Sequence, residues 1–238
     1  MTLSNGRNRR RTALLAALAL LLAAGASTPV LALDRAKTVD RLRESVEVLG
    51  EIVNIPEDGI PDSLLRKAEG LVVIPNVISG AFLVGARHGY GIMVHKLPDG
   101  KWSNPCFVSI SGGSFGLQIG GQAVDLVLVI QNPRGFESVL KDNFTLSGDA
   151  KVTAGPVGRN AEAGTDLLLK AEILSYSRSK GLFAGISLNG AVLNIDQKAN
   201  TAFYQKLVGH RKILFDAKMP RPVEVKPLHT LLKPYEGK

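Results

Sequence analysis

The 238-residue chain sets 29 Lys and Arg against 21 Asp and Glu and holds four histidines and one cysteine, Cys106. A single cysteine excludes an internal disulfide framework, and His88, His95, His210 and His229 are too scattered for a Cys/His zinc cluster. The formal charge of +8 is uneven: residues 1–32 hold four arginines and no acid, residues 206–238 hold eight Lys/Arg against three Asp/Glu, and the span between is close to neutral.

The chain opens with Arg7, Arg9, Arg10 and Arg11, followed by an apolar run from Ala13 to Ala26 and two small-residue sites, Ala24-Gly25-Ala26 and Val30-Leu31-Ala32. That is the layout of a secretory signal peptide over residues 1–32, cleaved after Ala26 or Ala32. It predicts a periplasmic or secreted protein, with peripheral association to a membrane left open. The apolar run is shorter than the roughly 20 residues of a membrane span; an uncleaved N-terminal anchor is the alternative. Residues 33–219 then read as one domain and residues 220–238 as a basic, Pro-rich tail.

Residues 34–53 predict an amphipathic helix. Val39, Leu42, Val46, Leu49 and Val53 recur at spacings of three and four, and Asp34 is placed to cap its start. Arg35, Lys37, Arg41 and Arg43 crowd its first half. A second helix is predicted over "PDSLLRKAE", with Pro61 in its first turn and Gly70 at its end.

From Leu71 the residues become β-branched, aromatic and glycine-punctuated: "LVVIP", "GAFLVGARHGYGIMVHK" and "WSNPCFVSI" predict strands. "KLPDGKW" is a hairpin turn, since Pro98 presets one torsion and Asp99-Gly100 tolerate positive ones. "AVDLVLVIQN" reads as a strand buried on both faces, and Asn132-Pro133 starts a short helix through Leu140. Further strands are expected in "FTLSGDAKVTAGPVGRNAEAGTD" and "LLLKAEILSYSRSKGLFAGISLNGAVLNID". "QKANTAFYQKLV" has helical spacing through Ala199, Phe203 and Leu207, whereas Pro220, Pro222, Pro227 and Pro234 rule out regular helix or central strand and predict a tail that is extended or mobile, with wrapping around the domain left open. The sum is an α+β fold, N-terminal helices packed on a predominantly antiparallel, Gly-rich sheet or partly closed barrel.

Three blocks stand in a specific order: "AEGLVVIPNVISGAFLVGARHGYGIMVHK", "FVSISGGSFGLQIGGQAVDLVLVIQN" and "AEILSYSRSKGLFAGISLNGAVLNID". Together they resemble the SYLF domain, also called the Ysc84 or DUF500 family, over roughly residues 36–207. The resemblance implies a non-enzymatic lipid-binding module with a preference for acidic phospholipids, phosphoinositides among them in eukaryotic members. It also implies a role for the N-terminal amphipathic segment, here Asp34 to Val53. Relatives that act on actin carry SH3 or FYVE domains, neither of which is legible in these residues, so an actin role is not carried over.

The expected partner is therefore an anionic phospholipid or membrane surface, with no cofactor, no metal and no nucleic acid; protein partners are left open. Arg35, Lys37, Arg41 and Arg43 would supply attraction, and Val39, Leu42 and Val46 shallow insertion. The competing use of that stripe is packing on the sheet. Arg178 and Lys180, beside hydroxyls in "SYSRSKG", make a headgroup pocket or simply a polar hairpin end. Two other functions were open to the chain: an envelope interaction protein using its basic tail, and a serine hydrolase. Gly112-Gly113-Ser114-Phe115-Gly116 matches G-x-S-x-G, but a nucleophile elbow needs a helix after Ser114, and "LQIGGQAVDLVLVIQ" is strand-like.

Overall fold

The computed structural model describes residues 28–55, 59–82, 84–114, 120–156, 171–179, 182–183 and 188–237. Its long first helix, α1 (Thr28–Val53), leads into a short α2 (Asp62–Lys67) and then into two long strands, β1 (Gly70–Phe82) and β2 (Val84–His95). β3 (Cys106–Ser114) and β4 (Gly120–Ile130) follow, then α3 (Pro133–Val139), β5 (Phe144–Thr145) and β6 (Val152–Ala154). β7 (Ile173–Ser179), β8 (Leu182–Phe183), β9 (Val192–Ile195), α4 (Gln197–Tyr204), α5 (His210–Phe215) and α6 (Lys226–Leu232) complete the order.

The strands form one sheet in the order β5-β9-β3-β2-β1-β4-β7-β6, with β8 added to β7. Every pairing is antiparallel except β6 with β7. β5 and β6 occupy opposite edges, yet only residues 146–151 join them, and Leu146 bridges Ala150 within that connection. Such a link reaches at most about 25 Å, while seven steps of about 4.8 Å would hold the edges of a flat sheet about 34 Å apart. The sheet must therefore curl, as the partly closed barrel requires. Glycine permits the close approach: a Cβ on Gly91 would lie 1.9 Å from the Val73 carbonyl oxygen of the neighbouring strand.

Local signals explain many of these elements. Gly100 takes φ +80 in the turn between β2 and β3, and Lys96 bridges Trp102 across it. Asn132 caps α3 by accepting from the Gly135 N–H at 2.8 Å, with Pro133 in the first turn. β4 lies between β1 and β7, and Val124 and Leu126 to Ile130 are all buried.

Elsewhere the structure corrects the local expectations. α1 already runs at Thr28, so Asp34 lies inside the helix and caps nothing. α2 ends at Lys67, and Gly70 begins β1 instead; a side chain there would strike the Phe136 ring. α4 stops at Tyr204, followed by a left-handed Gln205, which leaves Leu207 exposed. The tail is not extended: a 3-10 turn over Val223–Val225, α6 and a second turn over Lys233–Tyr235 fold back on the domain. Its prolines sit where helices tolerate them, Pro227 and Pro234 within the first two positions of a helical segment. Val225, Leu228, Leu232 and Tyr235 are buried by this return.

α1 settles how its apolar stripe is used. Leu42 and Leu49 are buried, joined by Val48 and Ile52, while Val39, Val46 and Val53 pack partly buried against the same core. The stripe faces the sheet, so shallow insertion of Val39, Leu42 and Val46 into lipid is not available in this fold.

Candidate functional site

Between α1, the sheet and the start of α4 lies a groove of about 560 Å³. Lys37 and Arg41 enter it from α1, His88 and Tyr90 from β2, Ser109 from β3, and Asp196 and Lys198 from the start of α4. Lys37 and Arg41 are one helical turn apart and so share a face. Asp196 organises the floor with both carboxylate oxygens. One accepts from the Ala199 N–H at 3.0 Å and caps α4, and the other accepts from Arg41 Nη1 at 2.8 Å.

Arg41 also lies over the Tyr90 ring, 4.5 Å from its centroid, and 5.7 Å from that of Phe107. This stacking fixes a guanidinium against the sheet. His88 meets Tyr90 edge-on at 4.4 Å. Lys37 and Lys198 are exposed and make no ion pair among the described residues, whereas the Arg41 charge is shared with Asp196. The groove thus offers two ammonium groups in no ion pair among the described residues and one anchored guanidinium, with an imidazole, a half-exposed phenol and the Asp34 carboxylate beside them. That set suits an anionic oxygen-rich group, which it can neutralise and hydrogen-bond.

The other cations singled out in the sequence go elsewhere. Arg35 donates from Nη2 to Glu224 Oε1 at 2.6 Å, tying α1 to the C-terminal return. The Glu224 carboxyl is held below the usual carboxylate range by a backbone hydrogen bond and by Arg35. Arg43 pairs with Asp40 at 2.6 Å in the solvent. Arg178 is largely buried, paired with Glu51 near the end of α1 and 3.5 Å from Asp125 on β4. It acts there as a bridge between helix and sheet. Lys180 lies outside the described residues. Of the five that are described, only Lys37 and Arg41 meet in one groove; His88, Tyr90 and Lys198 were not singled out in the sequence, because nothing in its local spacing links them to α1.

The other motifs acquire plain structural roles. Ser114 ends β3, its backbone paired with Gly85, and the next described element is another strand, β4, rather than a helix. Cys106 is fully buried and its thiol is pushed up to about 12 by burial, so it is an inert core group. Lys96, buried against Trp102, donates to the Arg66 carbonyl at 2.6 Å and to that of Tyr235 at 2.9 Å. Burial lowers its pKa; it joins α2 to the C-terminal return. Among the described residues no His/Cys/Asp/Glu group could hold a metal, and no helix is long and apolar enough to cross a membrane.

With the α+β fold, the curled sheet and the groove described, sequence comparison places the chain in a family. The family described as "Ysc84: Las17-binding protein actin regulator" matches residues 111–235, and the chain belongs to this family, the SYLF family. The human SH3 domain-containing YSC84-like protein 1 is 39% identical over 203 residues, 85% of this chain and 58% of the relative. A Schizosaccharomyces pombe SH3 domain-containing protein is 36% identical over 74% of this chain and 41% of its own length. LAS seventeen-binding protein 3 of Saccharomyces cerevisiae is 34% identical over 73% of the chain and 38% of its own length. The chain therefore spans less than two thirds of these curated relatives, of which the Saccharomyces cerevisiae one is named as a binding protein.

Proposed function

We propose that this protein is a non-enzymatic lipid-binding module that docks on anionic phospholipid, with the groove between α1 and α4 receiving a headgroup. The observation that carries this reading is the convergence of Lys37, Arg41 and Lys198 beside Tyr90 in one open groove. Each cation near an anionic surface contributes about 1 kcal/mol, and the contribution weakens with salt. The α1 stripe stays in the core throughout, so attraction comes from the polar side of the helix rather than from its insertion. Export, with residues 1–32 removed, would put the module at an envelope membrane; N-terminal sequencing of the mature protein tests that part.

Co-sedimentation with phosphatidylglycerol-containing and pure phosphatidylcholine vesicles over a salt series tests the docking. Binding should favour the anionic vesicles, fall with salt, and drop about tenfold or more in the double variant Lys37→Glu/Lys198→Glu. Equal binding to both vesicles, or none to either, defeats the proposal.

A second reading is a protein-docking role. It is favoured by Leu207 and Val223, 83% and 78% exposed, in the stretch that also carries the exposed Lys206, Arg211, Lys212, Lys218 and Arg221. Las17 binding in the family's description and in the yeast relative's name points the same way. Retention of an envelope protein by the unsubstituted chain and its loss on Leu207→Asp/Val223→Asp would support it.

A further inference from the structure

We propose that the open part of the helix-bearing sheet face, centred on Ile78 and Tyr90, seats in the interfacial layer of an anionic bilayer, with the groove cations at its margin. The inference rests on the lipid-docking reading above and assigns the apolar contact that α1 cannot provide.

Strand register defines the surface. Ile78 on β1 stands opposite His88 on β2 and Ala123 on β4, and His88 stands opposite Ser111 on β3. Residues opposed in register share a face of the sheet. His88 touches Tyr90 on that same face, and Tyr90 carries Arg41 of α1. The row therefore lies directly beside the groove, on the side that α1 leaves uncovered. Ile78 is 62% exposed and Tyr90 46%, making them two of the four exposed large hydrophobic residues among those described.

Two positions further along the strands, the same face presents Gly113 and Ala86, both exposed and again in register. These two residues present no more than a methyl group and a hydrogen atom to an approaching surface. An isoleucine beside a tyrosine and a histidine matches the graded polarity of a bilayer interface, where a phenol keeps its ring in apolar surroundings and its hydroxyl wet. Lys37 and Lys198, uncommitted at the margin, match an anionic headgroup layer. A second copy of the chain is a poorer occupant, because a two-fold contact would turn the same cationic margin upon itself.

The test uses the full chain with Ile78→Trp and Ile78→Gln. Trp102 is the single native tryptophan and is fully buried, so it supplies a constant background. With phosphatidylglycerol/phosphatidylcholine vesicles, the Ile78→Trp emission should shift to the blue and be quenched by lipids brominated on their acyl chains. Ile78→Gln should weaken vesicle binding at least fivefold while its thermal melting stays unchanged. If unsubstituted protein binds these vesicles but the new tryptophan is not quenched, or Ile78→Gln binds undiminished, the assigned surface is wrong and the lipid-docking reading survives. If a concentration-dependent dimer is lost in Ile78→Gln with vesicle binding intact, the face belongs to a second copy. If unsubstituted protein binds neither anionic nor neutral vesicles, the docking reading itself fails and this surface with it.

Discussion

The helix-bearing face of the sheet is covered along part of its strands and open along the rest, and the two parts differ in what their side chains do. Under α1, Leu42, Leu49 and Ile52 close over apolar residues, while Arg178 is drawn into contact with Glu51 and Asp125. Beyond α1, Ile78 and Tyr90 stay exposed beside Lys37 and Lys198, which pair with no acid among the described residues. Cations that hold the fold are thus separated from cations that meet no acid among the described residues. Arg178 and Lys37 are both basic residues beside polar neighbours in the sequence, yet only Lys37 keeps its charge uncommitted.

Substitutions should divide along the same line. The largest effect belongs to the covered part: Leu49→Ala, at a site with no solvent exposure, should cost about 2–5 kcal/mol in denaturant unfolding. Arg178→Ala comes next. It leaves Asp125 and Glu51 without their shared partner, and because Glu51 is half exposed the loss should be about 1–3 kcal/mol. An Arg178→Ala protein that is fully stable but no longer binds vesicles would reverse the assignment and return Arg178 to the headgroup site.

The C-terminal return supplies a pH-dependent test between these extremes. His229 is held at about 4, from an ordinary value of 6.5, by burial and by the nearby charge of Arg221. The unfolded imidazole therefore takes up a proton more readily than the folded one, and stability should fall as pH drops from about 6.5 towards 4. Thermal melting across that window should show the decline, and His229→Gln should flatten it. The smallest expected change is that of Ile78→Gln on folding, within about 0.5 kcal/mol, as for an exposed site without partners. A large loss of stability there would place Ile78 with the covered part of the face.

Much of the fold was legible because its signals are local. The four-and-three spacing of Leu42, Val46 and Leu49, the turn around Gly100 and the Asn132-Pro133 helix start each depend on residues within a few positions. The C-terminal return was not, because its prolines exclude helix only in an interior position, and whether Pro227 and Pro234 begin a helical segment depends on what Leu228 and Leu232 can bury against. Half of the groove was legible as a run of cations on one helix. The other half, His88 and Lys198, reaches Lys37 through strand and helix pairings far apart in the chain.

By itself the amino-acid sequence determined an α+β fold of the SYLF family, an amphipathic first helix with basic flanks, and a G-x-S-x-G pattern followed by strand-like residues. Composition, periodicity and turn chemistry act over a few residues and survive without a fold. Only the tertiary structure decided which way the apolar stripe of α1 points, and which cations meet acids, as Arg35 meets Glu224 189 positions away. It also decided which part of the sheet stays uncovered. The physical reason is that a charge or an apolar side chain takes its role from what lies within a few ångströms, and long-range strand pairing sets those neighbours.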